Sequence, residues 1–308
     1  MVTIIGAGMA GLLAGNLLLR RKPTILESQS ELPNNHSATL RFRTGAVGDA
    51  TGIPFKQVLM IKGTLPWRNP IADCLSYSFK NTGIRRSDRS ITEGLVTETR
   101  YIAPPDFIAR LAEPLSGALE FGHTADFSGE GPYISTIPMP SLAAALNYPY
   151  QEDIKFRNIP GVNIRGRIKD CEAYVSLLVP DPSFRFTRIT VTGNELIVEV
   201  PDVQLIENFV AVQLATEAME LLGMQYEDLS EVVVVYSAYQ KILPVRETAR
   251  RFFIHWATDK HNVFSLGRYA TARPGLLLDS LIQDVRLIAG WMDAGRYDMV
   301  RQRWTFSL

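Results

Sequence analysis

VTIIGAGMAGLLAGNLLLRRKPTILE, Val2 to Glu27, is the most informative stretch of the 308 residues. Val2 to Ile5 is a short apolar run of the kind that forms a buried parallel strand. Gly6, Gly8 and Gly11 follow at G-x-G-x-x-G spacing; Met9 to Arg20 reads as a helix, and Thr24 to Leu26 as a second strand ending on Glu27. Each part has a physical job. Gly6 permits the tight turn, Gly8 lets a pyrophosphate approach the backbone, and Gly11 lets helix and strand pack closely. Met9 and Ala10, at the helix start, bring free N–H groups and a partial positive charge. Glu27 stands where a carboxylate accepts hydrogen bonds from ribose hydroxyls. The order predicts a dinucleotide-binding βαβ unit and leaves FAD and NAD open.

Working outward, the length is enough for a large core and two domains. The 32 basic and 32 acidic residues give zero formal net charge, so nothing global drives the chain toward nucleic acid or an anionic membrane. The 46% apolar and 21% charged content is that of a soluble globular protein. The apolar N-terminus lacks a basic leader and is interrupted by three glycines, unlike a signal peptide. No run reaches the roughly 18 to 20 apolar residues of a membrane span. A soluble, cytoplasmic protein is expected. Cys74 and Cys171 have no redox or metal spacing and read as buried free thiols. His36, His123, His255 and His261 make no ligand pair, so no metal site is expected.

Ser28 to Ser37 is a polar loop, followed by Arg41 and Arg43 as candidates for cofactor contact or plain surface charge. Residues 45 to about 97 read as an irregular excursion carrying Arg85, Arg86 and Arg89. Pro105 to Leu115 is a short helix between prolines, and Ala118–Gly122 and Tyr133–Pro138 are strands. From Gln151 the pattern alternates, with Cys171–Val179 and a pair joined at Gly193-Asn194 read as antiparallel neighbours. Phe209 to Leu222 is a helix stopped by Gly223, and Glu231 to Tyr239 is a strand.

Near the other end, NVFSLGRYATARPGLLLDSLIQDV, Asn262 to Val285, forms a second signature. Val263–Leu266 is a buried strand, Gly267-Arg268 breaks it, and Gly275 precedes a helix from Leu276 to about Ala289. Together the two ends resemble the FAD-binding halves of the amine oxidase and UDP-galactopyranose mutase superfamily of flavoproteins. The resemblance covers Met1–Glu27, about Ala118–Ala145 and Asn262–Met299. It implies FAD, with Gly6, Gly8, Gly11 and Glu27 on its adenosine diphosphate half and Gly267, Arg268, Pro274, Gly275 and Leu276 beside the flavin. The Gly-Gly-Arg segment that often follows the acid in amine oxidases is missing, with Thr39-Leu40-Arg41 near its place.

The expected fold is α/β: a Rossmann-like FAD-binding domain with a parallel sheet (1–45, 98–147 and 258–308) and a smaller, mostly antiparallel substrate domain (46–97 and 148–257). The resemblance implies a flavin-dependent oxidoreductase acting on a C–N bond of an amine or amino-acid-like small molecule. Tyr236, Tyr239 and Trp256 are candidate pocket walls, although taken singly each reads first as core packing, since large aromatics bury for their area alone. Arg246 and Arg273 are candidates to hold a carboxylate, and His255 to carry a proton. A mutase-like enzyme on a nucleotide-sugar and a non-enzymatic binding module are the alternatives. The compact form also resembles short bacteriophage flavoproteins of DNA-base hypermodification, which implies a modified thymine base as substrate in the host cytoplasm. DNA would then run along Arg85, Arg86, Arg89, Arg165, Arg167, Lys169, Arg185 and Arg188, with the base flipped out.

Overall fold

The computed structural model describes residues 2–32, 39–66, 69–87, 91, 94–129, 131–155, 158–201, 203, 205–243 and 245–294. Its strands are β1 (Thr3–Ile5), β2 (Thr24–Glu27), β3 (Arg41–Phe42), β4 (Lys56–Thr64), β5 (Leu95–Ile102), β6 (Leu119–Phe121) and β7 (Tyr133–Ser135). Then come β8 (Asn158–Ile168), β9 (Ala173–Leu178), β10 (Arg188–Gly193), β11 (Glu195–Pro201), β12 (Leu229–Ile242) and β13 (Val263–Ser265). The helices are α1 (Met9–Leu17), α2 (Ala46–Thr51), α3 (Pro70–Thr82), α4 (Phe107–Ala112), α5 (Met139–Ala145), α6 (Asn208–Leu221), α7 (Glu247–His261) and α8 (Leu278–Ala294).

Two sheets organise these elements. The first is parallel, in the order β13-β7-β1-β2-β6. Its middle strands bury Ile4, Ile25 and Ile134 completely, and α1 covers them with Leu12, Leu13 and Ala14. That close fit depends on glycine. A Cβ on Gly11 would sit 1.9 Å from the Gly6 carbonyl oxygen, and one on Gly15 would sit 2.7 Å from Ile25 Cδ1. The last strand among the described residues, β13, pairs with β7 at the edge of this sheet.

The second sheet runs β12-β8-β11-β10-β9-β4-β5-β3 and is mixed, with β4 parallel to β9 and its other pairs antiparallel. One face, built from Val162, Ile164, Val191 and Val198, forms a core with Ala211, Leu214, Ala218 and Met219 of α6. The α/β fold expected from the sequence is the fold observed.

Two segments differ from expectation. Residues 45–97 are not irregular but hold α2, β4, α3 and the start of β5. In β4 the buried Val58 and Met60 alternate with exposed Leu59 and Ile61, so apolar residues on both faces blur the period of two. The start of α3 is set by Asn69, whose side chain accepts from the Ile71 and Ala72 N–H groups, with Pro70 following. Past β12 the chain enters α7, a helix not read from the sequence, which carries His255 and Trp256. Its buried face is Arg250, Phe253, Ile254, Ala257 and Thr258, spaced i, i+3, i+4, i+7, i+8. Cys74 is buried as expected, but Cys171 is half-exposed. Among the described residues no helix is long and apolar enough to cross a membrane.

Candidate dinucleotide site and an ionic sheet face

At the end of β1 the chain turns through Gly6 at φ +97°, and Gly6 donates its N–H to the Leu26 carbonyl at 2.8 Å. Such a positive φ suits glycine. Thr136, just past β7, braces the turn: its hydroxyl donates to the carbonyls of Ile5 (3.0 Å) and Gly6 (3.1 Å). Gly8 caps α1 and differs from Gly6 and Gly11, because a Cβ there would meet nothing within 4 Å. The space beside its backbone is open, as a close-lying pyrophosphate requires. Glu27 Oε2 accepts from the Ala7 N–H at 2.7 Å, and Oε1 from the Gln29 N–H at 3.0 Å. The carboxylate is therefore held at the lip of the glycine turn. These residues fit a dinucleotide: an open glycine, a helix N-terminus and a positioned acid.

The far end of the chain arrives at the same place. Gly267 follows β13 with φ +99°, and a Cβ on it would lie 3.0 Å from Ala10 Cβ in the first turn of α1. Beyond it the loop folds on itself, with the Thr271 N–H and hydroxyl both donating to the Gly267 carbonyl. Arg273, Pro274, Gly275 and Leu276 line one cleft of about 370 Å³ together with Val245, Glu247 and Arg250. Arg273 is ion-paired with Asp284 of α8. Arg250 is 2% exposed, donates to the Thr271 carbonyl at 3.2 Å, and pairs with Glu247. Hydrogen bonds from Arg250 and Arg251 hold the Glu247 carboxyl down to about 2, against a smaller opposing push from burial.

The other predicted positions are spread more widely. Arg43 is exposed; its N–H donates to Asp279 at 3.1 Å, as do the N–H (3.4 Å) and hydroxyl (3.0 Å) of Thr44. Asp279, in the first turn of α8, had no signal of its own in the sequence. Arg246 is exposed and pairs with Asp153 at 2.8 Å, away from Arg273's partner. Trp256 packs edge-on to Tyr148, 4.8 Å between ring centres, and His261 lies 4.6 Å away. Tyr236 is 52% exposed on β12, His255 is half-exposed on α7, and the side chain of Tyr239 lies outside the described residues. Tyr236 thus stands on a strand of the mixed sheet, and Trp256 and His255 on α7. Of the basic residues considered for DNA, Arg165 pairs with Glu195, Arg167 with Glu231 and Arg188 with Glu199. Arg185 lines a separate cleft near Lys80, Arg85 lies over the Phe79 ring, and Arg89 falls outside the described residues.

Arg41 is the exception, because it meets partners that sequence reasoning missed. Pairing register places Arg41 of β3, Arg100 and Glu98 of β5, Met60 and Lys62 of β4, Arg188 and Thr190 of β10, and Glu199 of β11 on one face. Lys241 of β12 reaches the same spot. Glu199 accepts from Arg188 and from Lys241, each at 3.0 Å. Burial pushes the Glu199 carboxyl up, but Arg188 and Lys241 outweigh it and hold the group well below the carboxylate range. Glu199 in turn raises Arg188. Arg41 is lowered to about 10, first by burial and then by repulsion from Arg188.

A parallel sheet turning through glycines into α1, with β13 returning to pair with β7, beside a mixed sheet, is a Rossmann-like α/β fold. The sequence matches no protein-family profile and none of the curated proteins. Solved structures do share the architecture. Reduced UDP-galactopyranose mutase is similar with a TM-score of 0.66 at 14% identity, over 93% of this chain and 92% of that one. A geranylgeranyl bacteriochlorophyll reductase-like protein from Thermoplasma acidophilum gives 0.59 at 11% identity, over 98% and 81%. A fatty acid isomerase of P. acnes that produces CLA gives 0.57 at 13% identity, over 100% and 98%. At these identities the likeness is one of fold.

Proposed function

We propose that the chain is an FAD-dependent enzyme whose substrate lies against the ionic face of the mixed sheet. The observation that carries this reading is the approach of Gly267 to Ala10, with the missing Cβ of one 3.0 Å from the Cβ of the other. It brings two glycine turns from opposite ends of the chain to the start of one helix. Gly6, Gly8, Met9, Ala10, Gly11 and Glu27 would hold the adenosine diphosphate half; Gly267, Arg268 and the 274–276 loop would lie beside the flavin. When bound, FAD supplies a two-electron acceptor. The chain itself supplies binding, orientation and exclusion of water.

The finer reading is oxidation at a C–N bond of an amino-acid-like substrate. It is supported by the cations on the sheet face, which suit the carboxylate of such a molecule, with Arg41 and Arg188 as the pair that orients it. An amino acid carried on a thymine-derived base belongs to the same chemical class, but Arg165 and Arg167 are engaged by exposed or half-exposed carboxylates rather than free to follow DNA phosphates. A second reading, a mutase-like enzyme acting on a nucleotide-sugar, is favoured by the placing of Arg41 and Arg188 on one face of the mixed sheet, since a diphosphate needs two such groups.

The purified protein is expected to be yellow, with the visible bands of oxidised flavin, or to become so on addition of FAD. Anaerobic bleaching by an amine or amino acid supports the oxidoreductase. Turnover that needs prior reduction and leaves the flavin reduced supports the mutase. A colourless protein that cannot take up FAD overturns both.

A further inference from the structure

We infer that the face of β10 carries a built oxyanion subsite, formed by the Nε of Arg188 and the hydroxyl of Thr190, with Arg41 and Lys241 completing its charge, for a carboxylate or phosphate group of the substrate. The inference deepens the flavoenzyme reading by naming the chemistry of what that sheet face holds.

The first argument is unsatisfied hydrogen bonding. The Arg188 Nε and the Thr190 and Thr192 hydroxyls are buried atoms without a hydrogen-bond partner, and Thr190 as a residue is 3% exposed. Buried polar groups are nearly always paired, so three unpaired ones in a row need a reason. Residues 188, 190 and 192 alternate along one strand and so share one face. Register sets Arg188 opposite Glu199 and Thr190 opposite Ile197 and Ser176, which leaves Thr190 facing neither a carboxylate nor an amide across the strands.

The second argument is charge. Arg188 and Lys241 both pair with Glu199, so two cations share one carboxylate, and Arg41 lies on the same sheet face with its guanidinium on the Met60 sulfur at 3.3 Å. Tyr77 of α3 also meets Arg188, its hydroxyl 3.4 Å from Nη2, and adds no charge. Asp73, one turn earlier on α3 and fully buried, has interactions of its own. Arg100 and Lys62 are taken up by Glu98. Two further observations join the subsite to the cofactor half. Thr39 donates to Glu195 on the same sheet face at 3.4 Å, while Arg43 and Thr44 donate to Asp279 at the start of α8. Arg41 lies between, about 7 Å of extended chain from Arg43.

The probes are inorganic phosphate and acetate, titrated against wild-type protein and against Thr190→Val and Arg188→Met, at ionic strength held constant with chloride. Thermal unfolding and calorimetry are the readouts, and the flavin absorbance is recorded separately. Wild type is expected to gain thermal stability with one of the anions beyond chloride; a larger gain with phosphate points to a phosphorylated substrate, and with acetate to a carboxylate. Thr190→Val should unfold at the same or a higher temperature without anion, because it deletes an unpaired hydroxyl, yet bind the anion about tenfold more weakly. Arg188→Met should abolish the gain. Equal anion binding in wild type and Thr190→Val overturns the subsite, as does a Thr190→Val protein destabilised in plain chloride. Either result stands whatever the flavin absorbance shows, so failure of the subsite and failure of the FAD assignment are separate outcomes.

Discussion

The three glycines of the first turn look alike in the sequence but meet different surroundings. Gly11 is forced by packing: an added methyl would overlap the Gly6 carbonyl, a backbone group that cannot swing aside. Gly8 faces open space and is free to carry a side chain in the absence of a ligand. Gly11→Ala should therefore lower the unfolding free energy by about 3 kcal/mol or more, through overpacking against backbone. Gly8→Leu should change it by less than about 1 kcal/mol while losing the flavin bands. Urea unfolding paired with the visible spectrum separates the two. If Gly8→Leu keeps its colour, the pyrophosphate does not approach there. All three glycines were legible in the sequence, because their spacing is local. The grouping of Arg41 and Arg188 with Glu199 and Lys241 was not, since strand pairing alone brings together residues up to two hundred positions apart.

Among the elements, α7 shows how a helix can be hidden by its own charges. Its buried stripe includes Arg250, which a hydropathy pattern counts as a break, although the residue is among the most buried in the chain. Arg250 is tolerated there because Glu247 and the Thr271 carbonyl satisfy its guanidinium. The same contacts fasten the start of α7 to the loop that begins at Gly267. Glu247 titrates below its unfolded value, so between about pH 4.5 and 2 the unfolded chain binds more protons and stability falls as pH falls. Glu247 is about half exposed, and solvent screening keeps the effect small. Glu247→Gln should give a flatter dependence of the unfolding midpoint on pH across that window. A slope unchanged from wild type would mean that the pair contributes nothing there. The strands of residues 45–97 escaped sequence reading for the opposite reason: β4 is apolar on both faces, so no alternation marks it.

Over the whole molecule, one short strap connects the two sheets at the level of the candidate site. Thr39 touches the face of the mixed sheet, Arg41 enters its ionic cluster, and Arg43 and Thr44 end on Asp279 of α8. The first sheet was readable because its signature lies at the two ends of the sequence; the strap was not, because its anchors are side chains on distant elements. A bound cofactor and a substrate on the ionic face would both lean on this segment. Asp279→Ala removes the acceptor of two backbone N–H groups and a hydroxyl at once. It should cost about 0.5 to 1.5 kcal/mol of stability, because the donors it releases are exposed to water. Amide hydrogen exchange is expected to quicken at Arg43 and Thr44 while protection in β1 and α1 stays as in wild type, because α1 is held by the glycine contacts rather than by the strap. Exchange at residues 43 and 44 that ignores the substitution would show that Asp279 does not hold them. Faster exchange throughout α1 would show instead that the strap and the dinucleotide half open as one unit.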